Sequence, residues 1–136
     1  MAVTEQGAAI ERARKGYTDF DAGNIQGIDA TIADDTVWHV AGNSRFAGDY
    51  KGKQATFELF GRFFQEGVIQ KHDIHDILAS DQHVVVLSTV TVTYKGKSLT
   101  LKAVDVIHEN GQGQTAEWWR FAEGDGQKQF DELVAG

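Results

Sequence analysis

Between Lys97 and Glu109 polar and apolar side chains alternate along KSLTLKAVDVIHE, the pattern of a long strand with one face buried. Leu99, Leu101, Ala103, Asp105 and Ile107 share one face; Ser98, Thr100, Lys102, Val104, Val106 and His108 share the other. The first face is apolar except for Asp105. The stretch before it, His83 to Tyr94, is rich in β-branched residues and reads as a second strand, joined to the first by a tight Lys95-Gly96 turn. After the Asn110-Gly111 and Gly113 turn, QTAEWWRFA reads as a further strand, with Glu117, Trp119 and Phe121 on one face and Trp118 and Arg120 on the other. VIQKHDIHDILAS, from Val68, alternates poorly and predicts a strand with a bulge.

The N-terminal half carries helical periods. Ile10, Ala13, Tyr17 and Phe20 recur at three- and four-residue steps, so residues 4–22 predict a helix capped by Thr4, with Glu11 and Lys15 on its outer side. Gly23 suits the position just past its end, and Asn24 caps a second, shorter helix with the stripe Ile25, Ile28 and Ile32. Thr36 to Ala41 predicts a short strand, with Val37, His39 and Ala41 on one face and Trp38 and Val40 on the other. A glycine-bearing loop or short hairpin follows. Gln54 to Glu66 then predicts a third helix, with Phe57, Phe60, Phe63 and Phe64 as a wide apolar stripe. QKQFDELVA, near the end, fits either a helix or an edge strand. Helices first and long strands after give an α+β class, with a twisted sheet wrapped on the helices and a cavity between them.

With 136 residues and no internal repeat or linker, residues 1–136 are expected to form one domain. The net charge of −7 and the pI near 5.1 argue against a nucleic-acid partner and an anionic membrane surface. No cysteine is present, which removes disulfides, thiol chemistry and cysteine zinc sites. No apolar run reaches membrane-spanning length and no signal pattern opens the chain, so a cytoplasmic protein is expected.

A carboxyl on an apolar face needs a partner or must be neutral, because burying an unpaired carboxylate costs several kcal/mol, roughly. Asp105 is therefore either a site residue or a structural ion pair. The His72-Asp73-Ile74-His75-Asp76 run is a tempting metal cluster, but strand positions three apart point to opposite faces, so no metal is expected there. No G-x-S-x-G elbow and no phosphate loop occur. What remains is a histidine on a short strand, His39, a tyrosine on an inward helix face, Tyr17, and the buried Asp105. These types move protons without a metal or a nucleotide.

Ala22 to Phe57, with its two helices, Asp34-Asp35, Trp38-His39 strand, glycine-centred loop and Tyr50-Lys51-Gly52 lead-in to a helix, resembles the N-terminal half of SnoaL-like proteins of the nuclear transport factor 2-like superfamily. The later DVIHENGQGQTAEWWRF resembles the same family's terminal hairpin. The resemblance covers nearly the whole chain and implies a cone: a curved antiparallel sheet around three N-terminal helices, with a pocket at the open end. It also places His39 where ketosteroid isomerases carry their proton-shuttling Asp, and Asp105 where they carry a protonated Asp that donates to the oxyanion. Their oxyanion tyrosine aligns with Gly16, one position before Tyr17. The logic of a neutral carboxylic acid is the one established for those isomerases. The Arg-x-Asp pair of limonene epoxide hydrolases has no match, since Ala103 stands two residues before Asp105.

The function implied is cofactor-free proton transfer, of isomerase or cyclase type, on a small hydrophobic carbonyl compound. His39 is the expected base, Asp105 and Tyr17 are the expected oxygen-stabilising donors, and Trp38, Phe57, Phe60, Trp119 and Phe121 are the expected substrate contacts. The alternative is a ligand-binding or dimerisation module of the same fold. Desolvation by its apolar neighbours is expected to raise the Asp105 pKa. A homodimer is expected through the outer sheet face, with Trp118, Arg120, Val104 and Val106 in the contact.

Overall fold

A computed structural model describes residues 2–136, with side chains from residue 5 onward. The first helix, α1, spans Ala2–Asp21. It begins two residues before the expected Thr4, whose capping side chain lies outside the described side chains. It ends as expected: Gly23 is left-handed (φ 77°), its N–H bonds the Phe20 carbonyl, and the Asn24 N–H bonds that of Asp19 at 2.7 Å. Asn24 then caps a 3₁₀ helix, Ile25–Thr31, by accepting from the Gly27 N–H.

Strand β1 is Ile32–Val40, β2 is Gly48–Lys51, and α2 is Lys53–Gln65. The long strands follow: β3 Ile69–Ala79, β4 His83–Tyr94, β5 Lys97–Glu109 and β6 Thr115–Ala122. The final segment resolves to a helix, α3, Gly126–Ala135. The sheet order is β2-β1-β6-β5-β4-β3, antiparallel except where β1 runs parallel to β6. β4 and β5 pair over their whole length, through a turn in which Lys95 (φ 51°) and Gly96 (φ 77°) are both left-handed. The bulge foreseen in β3 falls at His75, between the Ile74 and Asp76 pairings.

The helices cover one face of this sheet. Val84, Val86, Val90 and Val92 of β4 and Leu101, Ala103 and Ile107 of β5 are buried there, together with Phe60 and Phe63 of α2 and Phe130 and Val134 of α3. Each large apolar side chain fully buried contributes about 1.5–3 kcal/mol. That hydrophobic term is what holds the helices on the sheet, and it sets the apolar walls in which the polar residues below are embedded.

Candidate functional site

Asp105 lies on the covered face with no exposed surface. In register directly opposite it on β6 is Arg120. The guanidinium forks onto the carboxylate, with Nε 2.7 Å from Oδ1 and Nη2 2.8 Å from Oδ2. The Tyr17 hydroxyl, from α1, donates to Oδ2 at 2.5 Å. A carboxylate gripped by a guanidinium and a phenol is satisfied as an anion. The neutral, oxyanion-stabilising Asp105 expected from the sequence does not hold. Nor does Asp105 border the cavity, because Tyr17 and Arg120 stand between them. Burial first, and then the Asp105 charge, pushes the Tyr17 phenol well above its ordinary pKa. Burial works against the charge on Arg120, but the Asp105 carboxylate outweighs it and holds the guanidinium above its usual value.

The network continues. Arg120 Nη2 is 2.7 Å from His72 Nε2, and His72 Nδ1 is 2.7 Å from Asp21 Oδ1. The other Asp21 oxygen accepts from the His72 backbone N–H at 2.7 Å. A guanidinium nitrogen can only donate, so Nε2 accepts and the imidazole carries its proton on Nδ1, facing Asp21. Gln70 Oε1 accepts from Arg120 Nη1 at 3.4 Å, and Trp118 Nε1 donates to the Tyr17 hydroxyl at 3.4 Å. Tyr17 and Asp21 stand one turn apart on α1, which aims both at the sheet. His72 is on β3, three strands from β6. Neighbouring strands lie about 4.8 Å apart, so only a strongly curved sheet lets Arg120 reach it.

Tyr17, Gln70, His72 and Arg120 form a polar part of a cavity of about 140 Å³, walled by Phe20, Trp38, Phe60, Phe63 and Trp118. Trp38 and Trp118 stack at 4.6 Å between ring centroids, and Phe60 meets Trp38 edge-on at 5.1 Å. An engineered apolar cavity of about 150 Å³ accommodates a benzene, so this volume suits a single-ring compound. Toward one end, Arg12 of α1 and Glu109 of β5 form an ion pair at 2.9 Å.

Other predicted site residues lie elsewhere. Trp38 and Phe60 line the cavity, while Phe57 packs behind Phe60 at 5.7 Å. His39 borders the cavity as a residue, yet its ring lies on the outer face of the sheet. There Nδ1 is 2.7 Å from Asp49, Nε2 is 2.6 Å from Glu117, and the ring stacks on Trp119 at 5.3 Å. Hydrogen bonds donated to Glu117 and then to Asp49 raise its pKa against the opposing effect of burial. Trp38 packs inward, and alternation sends its neighbour His39 out. Strand β6 has the alternation read from the sequence but the opposite orientation. Trp118 and Arg120 point in; Trp119 points out, and Phe121 is 59% exposed. The reason is electrostatic: the buried Asp105 needs a cation, and Arg120 is the residue paired with it. Trp118 and Arg120 are accordingly removed from the outer contact surface, while Val104 and Val106 remain on it.

His72, Asp21, Arg120 and Gln70 are the site residues that sequence reasoning missed. Their signal was present in the unpartnered Asp105 and in the inner-face alternation of Gln70 and His72. The neighbouring His75 points to the outer face, where it meets Thr89 at 2.7 Å, so the two histidines do not converge. Among the described residues no group of three or more His, Asp or Glu side chains is placed to hold a metal ion. No helix among them is long and apolar enough to cross a membrane.

Residues 13–127 match the family model of the SnoaL-like domain. The chain belongs to that family. Among solved structures, the SnoaL-like fold is shared with Bal32a from a soil-derived mobile gene cassette (28% identity, TM-score 0.85, covering 95% of this chain and 98% of that one). It is shared too with TerC, co-crystallised with polyporic acid (21% identity, TM-score 0.80, 94% and 98% covered). An LEH-like epoxide hydrolase from M. tuberculosis has the same fold (19% identity, TM-score 0.76, 97% and 93% covered). No curated protein matches the chain in sequence.

Proposed function

We propose that this SnoaL-like chain binds a compact hydrophobic carbonyl compound and moves a proton on it without a cofactor, in the manner of an isomerase or cyclase. The observation carrying this reading is the Asp21–His72 dyad abutting Arg120 inside an aromatic cavity. The base is His72 rather than His39. A ligand oxygen that accepts from Arg120 Nη1 and draws the guanidinium toward itself lengthens the Nη2–Nε2 contact and uncovers the imidazole lone pair. Nε2 then takes a proton from the carbon beside the carbonyl, the C–H electron pair becomes an enolate, and Asp21 stabilises the imidazolium formed. Returning the proton to another carbon isomerises the compound; alternatively the enolate carbon attacks a second carbonyl carbon of the same compound, the C=O π bond breaks as the C–C bond forms, and His72 returns its proton to the resulting alkoxide. A positioned base of this kind contributes roughly 10²- to 10⁴-fold. Tyr17, held as a neutral phenol bonded to Asp105, fixes the Arg120 ion pair.

The structures of similar fold named as an LEH-like epoxide hydrolase and as TerC co-crystallised with polyporic acid support a small-molecule role for this fold. A homodimer in the cytoplasm, acting on a diffusible substrate, completes the proposal.

The second reading is a ligand-binding module without turnover. It is favoured by the saturation of the network: the His72 lone pair is occupied by Arg120, and the Tyr17 proton by Asp105. Deuterium exchange into a panel of cyclic ketones separates the two. Catalysis predicts exchange above buffer that falls at least 10²-fold in His72→Gln and is unchanged in His39→Gln. Exchange no faster than buffer, with ketone binding retained, establishes the binding module instead.

A further inference from the structure

We infer that the cavity selects neutral single-ring ketones and rejects carboxylates of the same size, with the ligand oxygen seated between Arg120 Nη1 and the Gln70 carboxamide; the inference rests on the small-molecule reading above. The argument is a count of donors and charges. Arg120 has five N–H groups. One on Nε and two on Nη2 are taken by Asp105 and His72, and one on Nη1 reaches Gln70 at a long 3.4 Å. That leaves an Nη1 hydrogen without a protein acceptor among the described residues. Gln70 Oε1 faces Arg120, so its amide NH₂ also remains as a donor, again without a protein partner among the described residues. Both residues line the cavity. The free polar capacity there is thus donor capacity, and it calls for an acceptor oxygen on the ligand.

Charge decides which kind of acceptor. Arg120 faces two carboxylates, Asp105 directly and Asp21 through His72, while Arg12 and Glu109 form a separate pair at the same cavity. The Arg120 charge is already matched by Asp105, Arg12 is matched by Glu109, and the Lys71 ammonium lies against the Asp21 backbone carbonyl, so among the described residues no cation there is left over for a second anion. An incoming carboxylate adds a like charge in a site of low dielectric, which disfavours it. A ketone places only a dipole there. The volume of about 140 Å³ suits a single ring.

The test is binding, read separately from turnover. Calorimetric or NMR titration at neutral pH compares cyclohexanone with cyclohexanecarboxylate, and the Gln70 side-chain amide signals are followed in the same titration. Cyclohexanone is expected to bind at least tenfold more tightly and to move the Gln70 amide signals. Gln70→Leu, which keeps the volume and removes the donor, is expected to lose about tenfold in ketone affinity. Equal or tighter binding of the carboxylate, no binding of the ketone, or unchanged ketone affinity in a folded Gln70→Leu each overturns the inference. If Gln70→Leu does not fold, the wild-type ligand pair and its Gln70 signals still decide. Ketone binding without deuterium exchange sinks only the catalytic reading and leaves this one standing.

Discussion

Asp105 and Arg120 face each other across β5 and β6, paired in register and joined by two hydrogen bonds of 2.7 and 2.8 Å. This pair binds the strand that supplies a fully buried carboxylate to the strand that supplies a cation of the cavity. Removing Asp105 alone strands a buried guanidinium, so Asp105→Ala is expected to cost about 3–5 kcal/mol. For a chain of this size that lowers the thermal midpoint by on the order of 10 °C. Asp105→Leu combined with Arg120→Met, which removes both charges, is expected to recover most of the loss. Thermal unfolding of the single and double variants checks this. A single variant as stable as wild type would show that the pair is not desolvated.

The Tyr17 phenol leans on the same carboxylate, and its titration reports the state of the pair. Burial and the Asp105 charge raise its pKa well above the ordinary tyrosine range. A raised folded-state pKa means stability that is complete below the unfolded value of about 10 and lost as pH climbs above it. Spectrophotometric difference titration of wild type against Tyr17→Phe is expected to show the Tyr17 phenol ionising well above the ordinary tyrosine range, together with alkaline unfolding that Tyr17→Phe shifts upward. At neutral pH Tyr17→Phe is expected to cost about 1–2 kcal/mol from the lost charge-assisted bond. A Tyr17 phenol ionising in the ordinary tyrosine range in the folded protein would refute the assignment.

The long strands were legible because their alternation and turn chemistry are local: β4 and β5 run where the pattern puts them, and His75 bulges where alternation breaks down. The faces were harder. Hydrophobicity alone sends Trp119 and Phe121 inward and Arg120 outward, and β6 does the reverse. What decides is the β5–β6 register, a non-local fact that sets Arg120 against Asp105. His39 failed for a similar reason. Its strand has apolar residues on both faces, and only the packing of Trp38 on Phe60 and Trp118 fixes which one is inside. His72 was hidden in a run that invited a metal reading, while its partner Asp21 lies 51 residues away. The inward direction of Tyr17 was legible because the helical period of α1 is local.

The outer sheet face carries an apolar patch. Phe121 is 59% exposed, Leu78 50% and Val104 37%, with Val106, Trp119 and Leu87 on the same face. A contiguous patch of this kind on a sheet marks an association surface, and self-association through it is expected. Light scattering at micromolar concentration should give a mass near twice 15.0 kDa. Phe121→Glu should return it to that of one chain, because an unpaired carboxylate at the centre of the contact is costly. Wild type at the mass of one chain would leave the patch without a partner of its own kind.

His39 gives the remaining prediction, and its sign can be worked through. Its ring, 29% exposed, lies between Glu117 and Asp49, and hydrogen bonds to both raise its pKa above the ordinary histidine value of about 6.5. The folded state therefore holds this proton more tightly than the unfolded state does. The resulting stability is fully present below about pH 6.5 and is lost as pH rises through the folded-state pKa. His39→Gln should remove that component, so the stability difference between wild type and variant should shrink between mildly acid and alkaline pH. NMR titration of the His39 ring should give a midpoint above 6.5, and salt should lower it, because both carboxylates are partly exposed. Since the ring faces away from the cavity, ketone affinity should not follow this titration. An ordinary midpoint would dissolve the imidazolium clamp, and a variant that lost ketone binding would put His39 back inside.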